Sequence, residues 1–454
     1  MKTFAVSTET DQNGFAVLLN KQKFRHIYPV NIWKSYPAKL KAALAETTAF
    51  FFTHHLPLVR KIKLDYQFPP PSAYSLYMHG VIYSLLENSP YIKSNIGALN
   101  KVIDSSFNVS FKGIPSSLTH EKLIQSNPKV AVLLFTFGKD SLLTYALSGE
   151  LKLAAELVFY DEPYSPYERL ARQSLIKEFR EHSNQIHIID LELGKLRQNG
   201  KEMWGWDLLI TGYLLLLLPY VHFFRAKYFF ISNEMNHNFQ EKNKDGFMTY
   251  SSFEQSSLWT INMNHLLRFF NSDAISTSLI ESLSEYLTTY ILYHRYPQLA
   301  KYHLSCCGDE PLSVKKRWCG KCFACARIYI FLLSFGIKPQ AAGIVEDLLQ
   351  RSKAEYFGIF SSAESANWPH FLNKNLDTLL AFYLAYLRGV NGELIELFKK
   401  KYLNKMAKEK KLFLKMIGLH KQYSVPDEFK DKLKIIFLEE IKWLKNDIKA
   451  LFYK

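Results

Sequence analysis

From Lys129 the chain alternates between short apolar runs and longer stretches in which apolar residues recur every three or four positions. The runs VAVLLFT, AELVFY, IHIIDL and KYFFIS read as buried strands; the intervals read as helices from Asp140, over Pro166 to Phe179 and over Trp206 to Phe224. Strands separated by helices of that length predict an α/β fold, a doubly wound parallel sheet. The run Leu208 to Phe224 is slightly short for a membrane span and carries Pro219 and His222, so a buried helix is expected there. Upstream, GFAVLL and KIKLDYQF alternate as strands do, Lys39 to Phe51 and Ser75 to Leu86 have helical spacing, and FPPPS forces an extended connection. Beyond about Pro339 the pattern is helical throughout. Three parts follow: an N-terminal α+β extension (1–125), a central domain (126–338) and a C-terminal helical region (339–454).

Composition adds a folded globular chain, with 48% hydrophobic and 22% charged residues. The formal charge of +15 points toward anionic partners such as nucleic acid, a nucleotide or a membrane surface. Over half of it lies between Glu396 and Lys454, where sixteen lysines face eight acids on amphipathic helices. Solvated helix faces account for that pattern. An anionic partner such as tRNA is the sharper alternative, although no aromatic stacking platform accompanies the lysines. The opening MKTFAVSTETDQNGFAVLL has no apolar core followed by a small-residue cleavage site, so a cytoplasmic location is expected, with no transmembrane segment.

Ligands of such a sheet bind outside the carboxyl ends of its strands, which directs attention to the turns after them. In TFGKDS, Gly138 allows a tight turn, and the amides around Ser141 open a helix whose positive end suits phosphate. Lys139 adds a mobile positive charge, and Asp140 can cap the helix or hold a phosphate-bound magnesium ion. An ordinary capped helix after a buried strand has the same vocabulary. A second signal is the cysteine cluster: all five cysteines fall within Cys306 to Cys325, and Cys319, Cys322 and Cys325 form C-x-x-C-x-x-C. With Cys306 or Cys307 as a fourth thiolate they suit tetrahedral zinc, with Lys315, Lys316, Arg317 and Lys321 to soften the negative charge. The spacing also fits an iron–sulfur cluster.

The turn resembles the pyrophosphatase-type loop of the ATP pyrophosphatase superfamily, usually Ser-Gly-Gly-x-Asp-Ser, with Thr136, Gly138, Asp140 and Ser141 on the motif. Phe137 stands where that family has glycine, and its side chain is expected to narrow the room beside the phosphates. Paired with SC…CGKCFACARI, the loop resembles the 7-cyano-7-deazaguanine synthase family over about Val130 to Phe335. That resemblance implies ATP, Mg²⁺ and Zn²⁺ as cofactors, with Cys306, Cys319, Cys322 and Cys325 as zinc ligands and Cys307 spare. It also implies a reaction in which ATP is cleaved to AMP and pyrophosphate while a carboxylate is adenylated. The chain is similar as well to the larger ATP-dependent epimerases of a UDP-muramoyl dipeptide, through the loop, the SNE of Ser232, Asn233 and Glu234, and the cysteine ending. A non-enzymatic alternative is a scaffold that keeps the fold and metal without turnover.

Further candidates follow from position. Glu234 is a candidate base or magnesium ligand, beside Asn233, Asn236 and His237. Gln255 and Ser256, near Tyr250, Glu254 and Trp259, are candidates for a flat base or a sugar. Asp161 and Glu162 follow the second strand, where adenosine is often met, and Arg295 is a candidate for bidentate binding of a substrate carboxylate.

Overall fold

The computed structural model describes the chain except residues 88–94, 115–122, 124, 163–165, 183–184, 197–207, 243–245, 251, 307, 309, 361–371 and 453–454. The N-terminal strands are β1 (Lys2–Thr10), β2 (Gly14–Leu19), β3 (Gln22–Ile27), β4 (Ile62–Tyr66) and β5 (Val109–Phe111). They form a mixed sheet in the order β3-β2-β1-β4-β5, antiparallel through β1, β2 and β3 and parallel through β1, β4 and β5. Of these, GFAVLL and the IKLDY of KIKLDYQF were legible as alternations. The helices Ala38–Thr53 and Tyr74–Glu87 span the two stretches of helical spacing.

The central sheet comprises β6 (Asn127–Leu134), β7 (Ala154–Asp161), β8 (His187–Asp190) and β9 (Ala226–Phe230). Two short strands, β10 (Gln240–Lys242) and β11 (Met248–Tyr250), form a separate hairpin, and β12 (Ile275–Thr277) returns to the central sheet. The order is β12-β9-β6-β7-β8 with every pairing parallel. The four strands read from sequence are all present. Only three residues long, β12 is too short to show an alternation, and it is an edge strand the pattern did not predict. Numbered within this sheet the order is 5-4-1-2-3, so the direction of winding reverses between β6 and β9.

Side chains of the central strands alternate between two cores, as period-two geometry requires. Ala131, Leu133, Leu157, Phe159, Tyr228 and Phe230 face one core, built with the helices Lys139–Glu150, Pro166–Glu181, Glu285–Arg295 and Phe323–Ser334. Val132, Val158 and Phe229 face the other, built with Leu209–Phe223, Ser257–Phe269 and the N-terminal helix Ala38–Thr53. Leu209–Phe223 falls within the apolar run and is a buried core helix. Among the described residues no helix is long and apolar enough to cross a membrane.

Both cores continue across the boundaries drawn near residues 125 and 338. Tyr28 donates from its hydroxyl to the Leu216 carbonyl at 3.0 Å, and Val17, Trp33 and Phe50 belong to the same core as Val132. At the other end Phe382, Phe398, Leu433 and Phe437 join the core of Leu133. The Glu281 carboxylate fastens the last connection by accepting from the amides of Tyr423, Ser424 and Val425 and from two serine hydroxyls, Ser257 and Ser424. Composition changes at these boundaries, but apolar burial does not stop there. The final helix, Asp427–Phe452, buries Phe429, Leu433, Ile436, Phe437 and Leu444 and exposes Lys432, Lys434, Lys442 and Lys449, as its amphipathic pattern implies.

Candidate active site and metal centre

The loop after β6 runs Phe135-Thr136-Phe137-Gly138 into the helix Lys139–Glu150. Its shape is set by Ser141, whose hydroxyl donates to the Gly138 carbonyl (3.1 Å) and accepts from the Thr136 amide (3.2 Å), and by the Gly138 amide, which donates to the Thr136 hydroxyl (3.3 Å). No side chain caps the helix at Gly138, so its start is open for an anion. Phe137 adopts φ 61°, a left-handed conformation in which a non-glycine residue is strained by about 1–3 kcal/mol. Its ring is fully buried against Phe135, Phe159 and Phe179, with centroids 4.8 to 6.1 Å away. Burying a phenylalanine side chain contributes about 1.5–3 kcal/mol, enough to offset that strain. The expectation that Phe137 crowds the phosphates is thereby corrected: its ring points into the core, and its carbonyl accepts from the Leu304 amide at 2.8 Å.

Lys139 is not a mobile charge. It is 5% exposed, and its ammonium lies 2.8 and 2.9 Å from the two Asp140 oxygens, 3.1 Å from Glu234 and 3.8 Å from Glu285. Burial works against this charge, but the carboxylates of Asp140, Glu234 and Glu285 outweigh it and hold the lysine pKa well above its ordinary value. Glu285 also pairs with Arg327. Three carboxylates therefore surround two cations, each of Glu234, Glu285, Lys139 and Arg327 being buried. The group lines a cavity of about 250 Å³ with His237, Gln255, Ser305 and Phe323. It opens where the winding reverses, between the carboxyl ends of β6 and β9, the place where open α/β sheets bind ligands.

The structure thus brings Lys139, Asp140, Glu234, His237 and Gln255 to one cavity. The other candidates have structural partners. Ser256 caps the helix Ser257–Phe269 by accepting from the Trp259 amide. Asn233 donates to the Thr260 hydroxyl, and Glu254 accepts from the amide and hydroxyl of Thr211. Asp161 pairs with Arg169, and Glu162 accepts from the Tyr213 hydroxyl. Arg295 is bound by Glu150, Glu439 and Glu440, outside the cavity, where it ties the final helix to the ends of the helices Lys139–Glu150 and Glu285–Arg295. Its fork is filled by the protein's own carboxylates, which removes it from the substrate candidates.

Two charged residues of the cavity escaped the sequence reading. Glu285 follows β12 at the start of a helix capped by Ser284, and the shortness of β12 hid it. The signal was the Ser-Glu opening of the helical pattern SEYLTTYILY. Arg327 lies within CFACARIYIF, where a lone cation in an otherwise apolar helix was the clue.

The cysteine site builds from its own local geometry. Cys319-Gly320-Lys321-Cys322 forms a tight knuckle: Gly320 has φ 69°, and a Cβ there would lie 2.1 Å from a Glu346 oxygen. The Lys321 amide donates to the Cys319 sulfur (3.4 Å), that of Gly308 to Cys306 (3.2 Å) and that of Cys325 to Cys322 (3.5 Å), the last also capping the helix Phe323–Ser334. This helix begins at Phe323, directly after the capping cysteine. Hydrogen bonds from Cys319, Cys322 and Cys325 hold the Cys306 pKa far below that of an ordinary thiol. The four sulfurs lie within 4.8 Å of one another, with 3.4, 3.7 and 3.8 Å separations among them. Metal–sulfur bonds of about 2.3 Å in a tetrahedron place sulfurs about 3.8 Å apart, so the cage fits a single ion such as zinc. In a cubane cluster the four thiolates sit on four separate irons and lie further apart. Cys307 lies outside the described residues. Of the nearby cations, Lys321 pairs with Glu310 and Arg317 with Glu178, so neither is reserved for the thiolates.

Cage and loop are mechanically linked. Arg172 donates to the carbonyls of Thr136 and Leu304, and Ser305, next to Cys306, lines the cavity. His303 bridges the Tyr293 and Ser305 hydroxyls at 2.9 and 2.7 Å, and burial, with Lys139, Arg172 and Arg317 nearby, pushes its pKa down to about 3. The helix that Cys322 caps carries Arg327 to the cavity wall. No protein-family model, curated protein or solved structure matches this chain.

Proposed function

We propose that this protein is an ATP-dependent enzyme that adenylates a carboxylate, releasing pyrophosphate, on a doubly wound sheet of the ATP pyrophosphatase type. The observation that carries the reading is the cavity at the reversal of strand order, where the open helix start at Gly138 stands beside Lys139, Asp140 and Glu234. In this reading the amides of the TFGKDS turn and the Lys139 ammonium hold the phosphates. A substrate carboxylate oxygen bonds to the α-phosphorus, the bond from that phosphorus to the bridging oxygen breaks, and pyrophosphate carries away the electron pair. Asp140 and Glu234 offer the hard oxygens that magnesium prefers, and three carboxylates against two cations leave the negative excess a dication needs. Magnesium supplies neutralisation of phosphate charge when bound. Zinc in the cysteine cage is structural: its four thiolates leave no open position for chemistry.

For the substrate, the minimal 7-cyano-7-deazaguanine synthase comparison and the larger muramoyl-dipeptide epimerase comparison both remain in this reading, since each activates a carboxylate. The flanking regions favour the second, because they share the cores of the central sheet and make one larger body. The test is pyrophosphate release and AMP formation with each candidate acid, ammonium being added with the deazaguanine acid, in wild type and Asp140→Ala. AMP from wild type with either acid, lost in Asp140→Ala, supports the proposal. Failure of both acids removes both named substrates, and absence of AMP with any carboxylate leaves the scaffold reading.

A further inference from the structure

Arg327 is 6% exposed and lines the cavity, yet its guanidinium is only partly engaged. Nη1 is held by Glu285, whereas Nε and Nη2 are closed off from solvent and make no hydrogen bond to the described residues, so a ligand reaches them only as the cavity wall shifts. These two nitrogens form the side edge of the guanidinium, a pair of parallel N–H donors. The plane of the group is fixed from below by the Phe323 ring, with the central carbon 3.6 Å from the ring centroid, and from one end by Glu285. A buried cation with two idle donors in a fixed plane requires an acceptor, and the acceptor that matches a flat two-donor fork is a two-oxygen anion.

We propose that the Nε–Nη2 edge of Arg327 binds the carboxylate of the substrate that is activated, a deepening that rests on the adenylation reading above. The phosphates have their own donors at the open helix start and Lys139, which leaves the Arg327 edge for the acid. Glu285, bridging Lys139 and Arg327, aligns the two cations and so sets the approach of the carboxylate to the phosphate. The cysteine cage acts on the same geometry, because Cys322 caps and Cys325 belongs to the helix that carries Arg327.

The test uses the full-length, metal-loaded protein, with succinate as the carboxylate probe and pyrophosphate as the phosphate probe, each followed by ligand-observed NMR. The proteins are wild type, Arg327→Gln and Arg327→Lys. The lysine variant keeps a cation opposite Glu285, and so the fold, but lacks the fork. Succinate binding is expected to weaken about tenfold or more in both variants, while pyrophosphate binding stays within about twofold of wild type. Equal succinate binding by wild type and Arg327→Lys, a parallel loss of pyrophosphate, or no succinate binding by wild type would each overturn the assignment. Titration of the wild type with Mg–ATP separates the two ideas. Without ATP binding but with the expected succinate result, the adenylation reading falls and the anion site stands; with ATP binding and indifference to Arg327→Lys, the reverse holds.

Discussion

The two five-stranded sheets differ in what their strand directions do to the loops. In the central sheet every strand is parallel, so the segments after β6, β9 and β12 leave the same end and bring Asp140, Glu234 and Glu285 within 3.8 Å of the Lys139 ammonium. In the N-terminal sheet β1, β2 and β3 alternate direction, and buried polar residues of that region such as His26, Thr53 and His54 lie among aromatic rings and helix backbone. Equal strand number therefore does not mean equal capacity for chemistry. Parallel strands concentrate charged loops at one edge, and the cost is a set of buried charges that must remain paired.

The largest expected effect is on the central sheet. Removing the metal with a chelator, or replacing Cys322 with Ser, takes away the tie between the knuckle and the helix bearing Arg327; structural zinc sites supply on the order of 10 kcal/mol of binding free energy. Hydrogen exchange should rise strongly in Phe323–Ser334 and the TFGKDS turn while β1 and β2 stay protected, and elemental analysis of the untreated protein should return one metal per chain. Uniform loosening of both sheets would show that they respond as one unit.

Next in size, Lys139→Met leaves Glu234, Glu285 and Asp140 facing one another without their shared cation. A loss of about 3–5 kcal/mol in urea unfolding is expected, because an uncompensated buried charge costs more than an intact pair contributes. Glu234→Gln in the same background should recover part of it.

Acid tests the N-terminal side through His26 and His54, while His303 beside the central cavity adds a slope of its own. Burial holds His26 and His54 near pKa 3, against 6.5 for an ordinary histidine. Between those values the unfolded chain binds protons that the folded chain refuses, so stability is full above pH 6.5 and falls as pH drops toward 3. Each histidine contributes a slope of about 1.4 kcal/mol per pH unit in that window. Urea midpoints at pH 7.5, 6 and 5 measure the slope, and the double variant His26→Phe and His54→Phe should flatten it by about two histidines' worth.

The smallest effect belongs to Arg295→Gln. Two of its three partners, Glu150 and Glu439, are partly exposed, and the buried third, Glu440, keeps its hydrogen bond to His294, so a loss of about 1 kcal/mol and unchanged pyrophosphate release are expected. A large fall in activity would return Arg295 to the site.

Much of this architecture was legible in the sequence for identifiable reasons. The apolar runs of β6 to β9 stand out between longer segments of helical spacing, and C-x-x-C-x-x-C ties three ligands by spacing alone. Gly138, Asp140 and Ser141 were visible because the turn sits directly after a strand. Glu285 was hidden behind the three residues of β12, and Arg327 behind the apolar helix it interrupts. Arg295 and Asn233 had suitable chemistry, but their partners lie elsewhere in the chain, Glu439 and Glu440 for Arg295 and Thr260 for Asn233, while Ser256 is taken by its own helix as a cap. Side-chain type announces what a residue can bind, not which neighbour reaches it first.

By itself, then, the sequence determined the periodic elements, the thiolate set and the polar turn after β6, all of which depend on residues near one another in the chain. Tertiary structure decided the direction of the Phe137 ring, the burial of Lys139 among three carboxylates, the single-ion size of the sulfur cage and the idle edge of Arg327. Those depend on contacts between segments up to about 190 residues apart, from Lys139 to Arg327, which only packing around the common sheet brings together.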